Sequence, residues 1–180
     1  MARFSWLASS FAVASLMLAT AALAADDFDV CVNESGTVAI DACTRVIMKG
    51  TKRGQVIEAY RNRGVEWYFK KDYDHAIADA TAAIKMQADH SPSYYLRYKA
   101  WQQKGDEDKS LADLEAAIRT DFNPEAYAAR GEYKEKKGDV AGALADYKAA
   151  LEKKKQKWDY IGQDKYIEEA REALKRLSAQ

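Results

Sequence analysis

The chain has 180 residues with 28 basic and 28 acidic side chains, and hydrophobic residues make up 48% of it. This length fits one domain or one short array of repeated units. The balanced charge excludes the broad basic field that nucleic-acid binders use, and the hydrophobic share excludes a disordered chain. We therefore expect a folded protein that does not bind nucleic acid.

The N-terminal segment, residues 1–24, has the pattern of a cleaved signal peptide. Arg3 is its only charge, an apolar run follows, and Ala22-Leu23-Ala24 supplies the small residues that precede a signal-peptidase cut. The run from Phe4 to Ala25 is just long enough to span a bilayer, which leaves an uncleaved membrane anchor as the alternative. We predict cleavage after Ala24 and an exported protein, periplasmic or secreted, whose mature form has no integral membrane span.

Export determines how the two cysteines, Cys31 and Cys43, are interpreted. An even number of cysteines in an oxidising compartment forms disulfides by default. A single pair cannot supply the four ligands of a structural zinc site, and its spacing is not the C-x-x-C of redox proteins. We therefore predict a disulfide between Cys31 and Cys43, with no metal and no cofactor.

From Tyr60 onward the chain repeats itself. Equivalent tyrosines follow at positions 94 and 127, and such a nearly constant step is typical of stacked supersecondary units. A tyrosine, an arginine and an aspartate recur in each unit: Tyr60, Arg63 and Asp79; Tyr94, Arg97 and Asp113; Tyr127, Arg130 and Asp146. We interpret the shared arginines and aspartates as structural, and predict ion pairs between them within or between neighbouring units.

Each unit reads as two helices joined by a tight turn. Gly105-Asp106 and Gly138-Asp139 mark the turns of the second and third units. Glycine tolerates the left-handed backbone that closes the first helix, and aspartate caps the free N–H groups of the second. Pro92 and Pro124 follow good capping residues, so they predict the starts of helices rather than kinks.

These patterns resemble the tetratricopeptide repeat (TPR), a helix–turn–helix unit of about 34 residues. The resemblance covers roughly residues 57–155 and is carried by the motif from Tyr60 to Gly64 and by Lys71 to Asp79. It implies an all-α fold, a right-handed helix–turn–helix solenoid. The three full units run over residues 57–90, 91–123 and 124–156.

Two further segments extend the array. Ala39 to Ile47 resembles the second helix of another unit, so residues 25–56 form a degenerate N-terminal half-repeat that the disulfide ties to the array. Asp164 to Leu177 reads as an amphipathic helix with Tyr166 on its apolar side. We expect this helix, within residues 157–180, to cap the solenoid, because terminal units need a polar outer face.

Three positions depart from the repeat: Tyr98 in place of a glycine, Ser110 in place of an alanine, and Lys134 in place of an aromatic residue. Because a tyrosine is far larger than a glycine, we expect the second helix pair to pack less closely than the others. We also expect the second and third units to splay or curve.

No pattern indicates catalysis. The chain has only two histidines, His75 and His90. Neither has other metal-binding residues at the sequence spacings that are usual for a metal site. Motifs for a nucleophilic serine, a phosphate-binding loop or a dinucleotide site are missing from the sequence. We predict that the protein is not an enzyme.

In the family that this chain resembles, the first helices of the units line a concave groove that holds a peptide. The resemblance places seven residues of this chain in such a groove: Arg61, Val65, Tyr68, Tyr95, Lys99, Gln102 and Glu132. It implies a non-catalytic scaffold or adaptor of the bacterial cell envelope that binds a partner protein or peptide there. Tyr68 and Tyr95 are expected to anchor the partner and to be replaceable without unfolding the protein.

The alternative function rests on the basic run from Lys153 to Trp158. Such a run could bind a membrane surface or a cell-wall polymer. It is more often a solvated helix end, where lysine side chains suit the negative end of the helix dipole.

Overall fold

The computed structural model describes residues 26–50, 52–120, 124–154 and 164–179. Within these ranges the chain forms nine α-helices and no strand: α1 (Asp27–Asn33), α2 (Gly36–Lys49), α3 (Arg53–Phe69), α4 (Tyr73–Met86), α5 (Ser91–Lys104), α6 (Glu107–Arg119), α7 (Pro124–Lys136), α8 (Val140–Lys154) and α9 (Asp164–Leu177). Each helix packs mainly against the helices that precede and follow it. The all-α helical repeat solenoid implied by the sequence is confirmed.

The turns between paired helices follow the predicted chemistry. Gly105 and Gly138 adopt the left-handed backbone, with φ of 75° and 81°. In the first unit Lys71 takes the same conformation, with φ of 62°, although a side chain is disfavoured there. Asp72 and Asp106 then accept hydrogen bonds from the backbone N–H groups three residues later, at 3.2 and 3.1 Å, which caps α4 and α6.

Small residues let the paired helices approach closely. Ala76 of α4 and Ala143 of α8 are fully buried. A Cβ atom on Gly64 would lie 2.9 Å from Leu96 Cδ2, and one on Gly131 would lie 2.8 Å from the Tyr147 ring. A side chain at either glycine would force a neighbour to move, so the packing of α3 against α4 and α5, and of α7 against α8, depends on these two residues.

The predicted arginine–aspartate ion pairs are confirmed, and each lies within one unit. Two bonds, of 2.8 and 2.7 Å, join every arginine to its aspartate: Arg63 to Asp79, Arg97 to Asp113, and Arg130 to Asp146. The aspartates are buried, and each guanidinium also lies 5.6–5.8 Å from the ring centre of the tyrosine three residues earlier. The ion pairs therefore join the first helix of a unit to the second in its interior.

The N-terminal unit contains a helix that the sequence did not predict. Short α1 packs on α2, and the predicted disulfide between Cys31 and Cys43 is present. The bridge joins α1 to α2, so the expectation that it ties this unit to the array is wrong. Contact with the array comes instead from packing of Cys43 against Ala59 of α3 and from the Gly36 N–H, which donates to Glu66 at 2.7 Å.

The departure at Tyr98 has a different effect from the expected one. The α5–α6 pair packs as closely as the other two pairs, so that expectation is wrong. The Tyr98 ring does not keep α5 and α6 apart, because it packs with other residues. It lies 5.5 Å from the Tyr95 ring and in a cluster with Ala129 of α7. The expected splay is confirmed between units, because α6 meets α7 through far fewer residues than α4 meets α5.

The helix predicted over Asp164 to Leu177 is confirmed as α9. It packs on α8 and α7, with Ala170, Ala173 and Leu177 against the apolar face of α8. Ile167 of α9 is also almost fully buried and was not predicted. Helix α9 therefore covers the last unit, as a capping helix must.

Candidate functional site

The described residues line a cavity of about 710 Å³, open to solvent on one side, between α5, α7 and α9, which we call the chamber. Helices α5 and α7 are the first helices of the second and third units, so the chamber lies on the side where the resemblance places a groove. Four tyrosines contribute to its walls: Tyr95, Tyr98, Tyr147 and Tyr166. The cavity has the size of typical small-ligand sites, about 300–1,000 Å³.

The structure brings together four of the seven predicted groove residues. Tyr95, Lys99 and Gln102 of α5 line the chamber together with Glu132 of α7. The other three, Arg61, Val65 and Tyr68, lie on α3 outside the lining of this cavity. Tyr68 is still linked to it, because the Lys99 ammonium lies 5.2 Å from the centre of the Tyr68 ring.

Lys99 is held by aromatic rings from three helices. Its Nζ atom lies 5.2 Å from the ring centre of Tyr68, 6.0 Å from that of Tyr95 and 5.8 Å from that of Tyr166. It also donates a hydrogen bond of 3.2 Å to the Tyr166 hydroxyl. Since an ammonium is attracted to ring faces at such distances, this group fixes α9 against α5 at one end of the chamber.

Tyr95 is part of the chamber wall rather than an exposed anchor. Only 8% of the residue is exposed, and burial raises the pKa of its phenol, with Glu125 adding to the effect. Burial also raises the pKa of Tyr98, to about 12. Both hydroxyls therefore stay protonated at neutral pH and act as hydrogen-bonding groups. Because Tyr95 is buried, its replacement by alanine is expected to cost stability, contrary to the sequence-based expectation.

The charged side chains of the chamber are largely paired with one another. Glu132 lies 2.7 Å from Lys136, and Glu135 lies 2.6 Å from Arg176. Glu135 also accepts a hydrogen bond of 3.0 Å from the Tyr147 hydroxyl. The chamber thus presents tyrosine rings and paired charges. This lining suits a ligand whose surface is polar and either uncharged or balanced in charge.

Sequence reasoning missed the contribution of α9 to this site. Tyr166 was assigned to the apolar side of a cap, and Arg176 was not singled out. Both line the chamber in the structure. The only available signal was an aromatic residue at the edge of the apolar stripe, and no local pattern could place it beside Lys99, 67 residues earlier.

A second cavity of about 280 Å³, which we call the crevice, lies between α6 and α7 at the splayed junction of the second and third units. Ser110, Leu111 and Leu114 of α6 line it. Five residues line both cavities, so the crevice adjoins the chamber: Tyr98, Gln102, Ala129, Glu132 and Lys136.

The histidines belong to no metal site in the described part of the chain. No group of three or more His, Cys, Asp or Glu residues there could hold a metal ion. His90 is buried between Ser93 Oγ, at 2.7 Å from Nδ1, and Glu58 Oε1, at 3.2 Å from Nε2. Because Ser93 is fully buried, this trio links α3 to the start of α5 and offers no exposed nucleophile.

Two predictions concern segments outside the described residues. The signal-peptide pattern falls on residues 1–24, and the basic run from Lys153 to Trp158 falls mostly on residues 155–163. Among the described helices, none is both long enough and apolar enough to cross a membrane. Cleavage, export and the alternative surface-binding function therefore remain predictions.

Comparison with known proteins supports the fold. The chain matches no protein-family model and no curated protein sequence. Solved structures do match, among them one described as "Crystal structure of MamA", with 26% identity and a TM-score of 0.55 over 69% of this chain and 71% of that chain. The fold is a TPR-like helical repeat.

Proposed function

We propose that this chain is a non-catalytic scaffold of the bacterial cell envelope, and that it binds a segment of a partner protein in the chamber. The observation that carries the proposal is the chamber itself. It gathers Tyr95, Lys99, Gln102 and Glu132, which were selected from the sequence as groove residues, around one cavity of about 710 Å³. A helical-repeat fold of this kind is suited to presenting such a surface to a partner.

The chemistry of the chamber supports a peptide ligand. Tyrosine side chains supply contact area with little conformational freedom to lose, and each hydroxyl can meet a backbone or side-chain polar group. The internal pairs Glu132–Lys136 and Glu135–Arg176 compensate charge, so a ligand need not bring an opposite charge to each one. Rearrangement of the exposed Glu132–Lys136 pair costs little, which allows a polar segment to exchange partners with it.

Placement in the cell envelope rests on two features. Residues 1–24 have the pattern of a signal peptide, and Cys31 and Cys43 form a disulfide. Disulfides persist in oxidising compartments such as the periplasm and are rare in the reducing cytosol. Both features support an exported protein.

The proposal is tested with a randomised peptide library displayed on phage and selected on the chain from Ala25 to Gln180. We expect enriched peptides whose binding is reduced at least ten-fold by Gln102→Trp, because an indole at this chamber-lining position fills the cavity. The matched control is Gln103→Trp, since Gln103 is the next residue of α5, is exposed and does not line the chamber. Equal binding by both variants would place the site elsewhere.

A further inference from the structure

The turn of the first unit has a different character from the turns of the other two. Phe69, Lys70 and Lys71 stand where the second unit has Gln103-Lys104-Gly105 and the third has Lys136-Lys137-Gly138. An aromatic residue, and a lysine in place of the glycine, are therefore particular to the first of these three turns. We call Phe69, Lys70 and Lys71 the basic tip.

Lys71 carries a side chain at a backbone conformation that favours glycine. Its φ is 62°, in the left-handed region, and the equivalent residues Gly105 and Gly138 have φ of 75° and 81°. A residue other than glycine costs free energy there, and such strain is concentrated at positions that serve function. Lys71 is exposed and makes no ion pair with a described residue, so no ion pair in this part of the chain offsets the strain.

Lys70 lacks the ion pair that its equivalents make. Lys104 pairs with Asp74, and Lys137 lies 2.9 Å from Glu107, so each of these lysines is joined to an acid close to the preceding unit's turn. Lys70 is exposed and forms no such pair with any residue that the structure describes. The basic tip therefore carries two exposed positive charges without an acidic partner in the described ranges.

Apolar side chains are exposed beside these charges. Phe69 is 73% exposed, although phenylalanine is among the residues most often buried. The Gly36 N–H donates to Glu66 at 2.7 Å, which places the first turn of α2 against the last turn of α3. Val38, in that first turn, is 56% exposed. This edge of the molecule therefore combines positive charge with exposed apolar surface.

The basic tip lies outside both cavities. None of its three residues lines the chamber or the crevice, and all three are exposed at the turn between α3 and α4. A projecting group of this kind fits a flat surface better than it fits a peptide, which is usually held in a groove. A lipid bilayer with anionic headgroups offers such a surface, because lysines can stay at the headgroups while an aromatic ring enters the apolar layer.

We propose that the basic tip binds an anionic lipid surface, with Lys70 and Lys71 at the headgroups and the Phe69 ring inserted beneath them. This contact goes beyond the proposed function, since the chamber lies on other residues and can hold a partner segment while the chain rests on a membrane. Glu34 is an exposed acid next to the first turn of α2, so it weakens the attraction. The binding should therefore be reversible and sensitive to salt.

The test measures co-sedimentation of the chain with lipid vesicles. The chain from Ala25 to Gln180 is used, because the apolar run before it would itself enter a bilayer. We expect vesicles of phosphatidylcholine with phosphatidylglycerol to bind it about ten-fold more tightly than vesicles of phosphatidylcholine alone, since each lysine near an anionic surface contributes roughly five-fold. Added salt should remove most of this difference, because it screens the attraction.

Lys71→Gly separates the proposed role from a role in folding, because its two effects have opposite signs. Glycine relieves the strained backbone, so the midpoint of urea unfolding should rise, while binding to the anionic vesicles should weaken about five-fold. The matched control is Lys85→Gln, since Lys85 is exposed and unpaired among the described residues. It lies about 18 Å along α4 from the turn, farther than the screening length of ~8 Å, and should leave binding unchanged.

Phe69→Ala tests insertion of the ring. It should weaken binding to the anionic vesicles at least about five-fold, because the apolar area that enters the bilayer is lost. Met48→Ala is the control, since Met48 is 81% exposed but lies near the other end of α2, away from Gly36. It should bind the vesicles as the native chain does.

Several results would overturn the inference: equal affinity of the native chain for the two kinds of vesicle, equal losses in the tip variants and their controls, or binding that survives the tip variants. Binding to poly-glutamate that depends on the basic tip, with no binding to vesicles, would assign the tip to an acidic protein surface instead. The tip variants should leave binding of the selected peptides unchanged, so the lipid contact and the chamber can fail separately.

Discussion

The arginines of the first two units do more than form their ion pairs. Arg63 donates to Asp79 within its unit and to Thr44 Oγ1 of the preceding helix at 2.9 Å, and Arg97 donates in the same way to Thr81 Oγ1 at 3.0 Å. A buried ion pair contributes little unless further hydrogen bonds satisfy its remaining donors. The threonines supply those bonds, so one side chain joins both helices of a unit and the unit before it.

The third unit replaces this arrangement with a second cation. Lys134 stands where the first two units have tryptophan, and its ammonium lies 2.9 Å from Asp146. Burial raises the pKa of the Asp146 carboxyl, but hydrogen bonds from Arg130 and Lys134 outweigh it and leave the pKa below the usual value of 3.8. The departure at Lys134 therefore strengthens the ion pair of the last unit.

Replacement of Lys134 by methionine is expected to lower the free energy of unfolding by about 0.5–1 kcal/mol at pH 7, because the lysine is partly solvated. Since the pKa of folded Asp146 is depressed, its stabilising effect is present above the unfolded pKa and is lost as the pH falls through the folded value. The difference between Lys134→Met and the native chain should therefore shrink as the pH falls below the usual carboxyl pKa of 3.8 and through the lower value of folded Asp146. Urea unfolding at several pH values measures it.

The matched control for this measurement is Lys148→Met on α8. Lys148 is exposed and makes no ion pair with a described residue. It should change the free energy of unfolding by less than about 0.5 kcal/mol at every pH. A Lys134→Met effect that does not shrink as the pH falls below 3.8 would contradict the assignment to Asp146.

At the scale of helices, the seams depend on two glycines to different degrees. A Cβ atom at position 131 would press on the rigid Tyr147 ring at 2.8 Å, whereas one at position 64 would meet first the end of the Leu96 side chain, at 2.9 Å. The leucine can rotate away at lower cost than the ring can move.

Gly131→Ala is accordingly expected to lower the free energy of unfolding by about 1–3 kcal/mol, and Gly64→Ala by less. Gly54→Ala is the control, because a Cβ atom there would have no neighbour within 4 Å. It should raise stability by up to ~1 kcal/mol through helix propensity. Denaturant unfolding of the three variants gives the order of their stabilities. A Gly131→Ala variant as stable as the native chain would contradict the close packing of Gly131 against the Tyr147 ring.

Local patterns in the sequence predicted the helices well. The recurrence of Tyr60 as Tyr94 and Tyr127, the Gly105-Asp106 turn and the amphipathic stripe of α9 all correspond to observed elements. The short helix α1 was missed, because so few residues carry too little periodicity to be recognised. The effect of Tyr98 was also misjudged, since sequence gives the size of a side chain but not which neighbouring helix it packs against.

The candidate site was predicted less completely, because it is assembled by the whole molecule. The site residues on α5 and α7 can be predicted by matching equivalent positions of the repeated units, and those residues do line the chamber. Tyr166 and Arg176 belong to α9, outside the repeat, so no matching position existed for them. The crevice could not be predicted either, because it depends on the separation of α6 from α7 rather than on any single helix.

The disulfide should affect one end of the molecule only. In a solenoid each unit contacts mainly its neighbours, so loss of the bridge between Cys31 and Cys43 should weaken α1 and α2 locally. Removing a bridge over this short loop is expected to cost ~2–3 kcal/mol. After replacement of both cysteines by serine, hydrogen exchange should quicken in α1 and α2 and stay unchanged in α7 to α9. Uniformly faster exchange would show that the array unfolds as one unit.

The hydrogen bond between Lys99 and Tyr166 limits how this array can lengthen. A solenoid ordinarily grows by duplication of a unit, because an added copy only repeats existing neighbour contacts. A copy inserted between α6 and α9 would carry Tyr166 one unit farther from α5, and the chamber would become an open trough. A longer array of the same units would keep its contacts between neighbouring units but would lose the chamber, which is the site proposed for the partner.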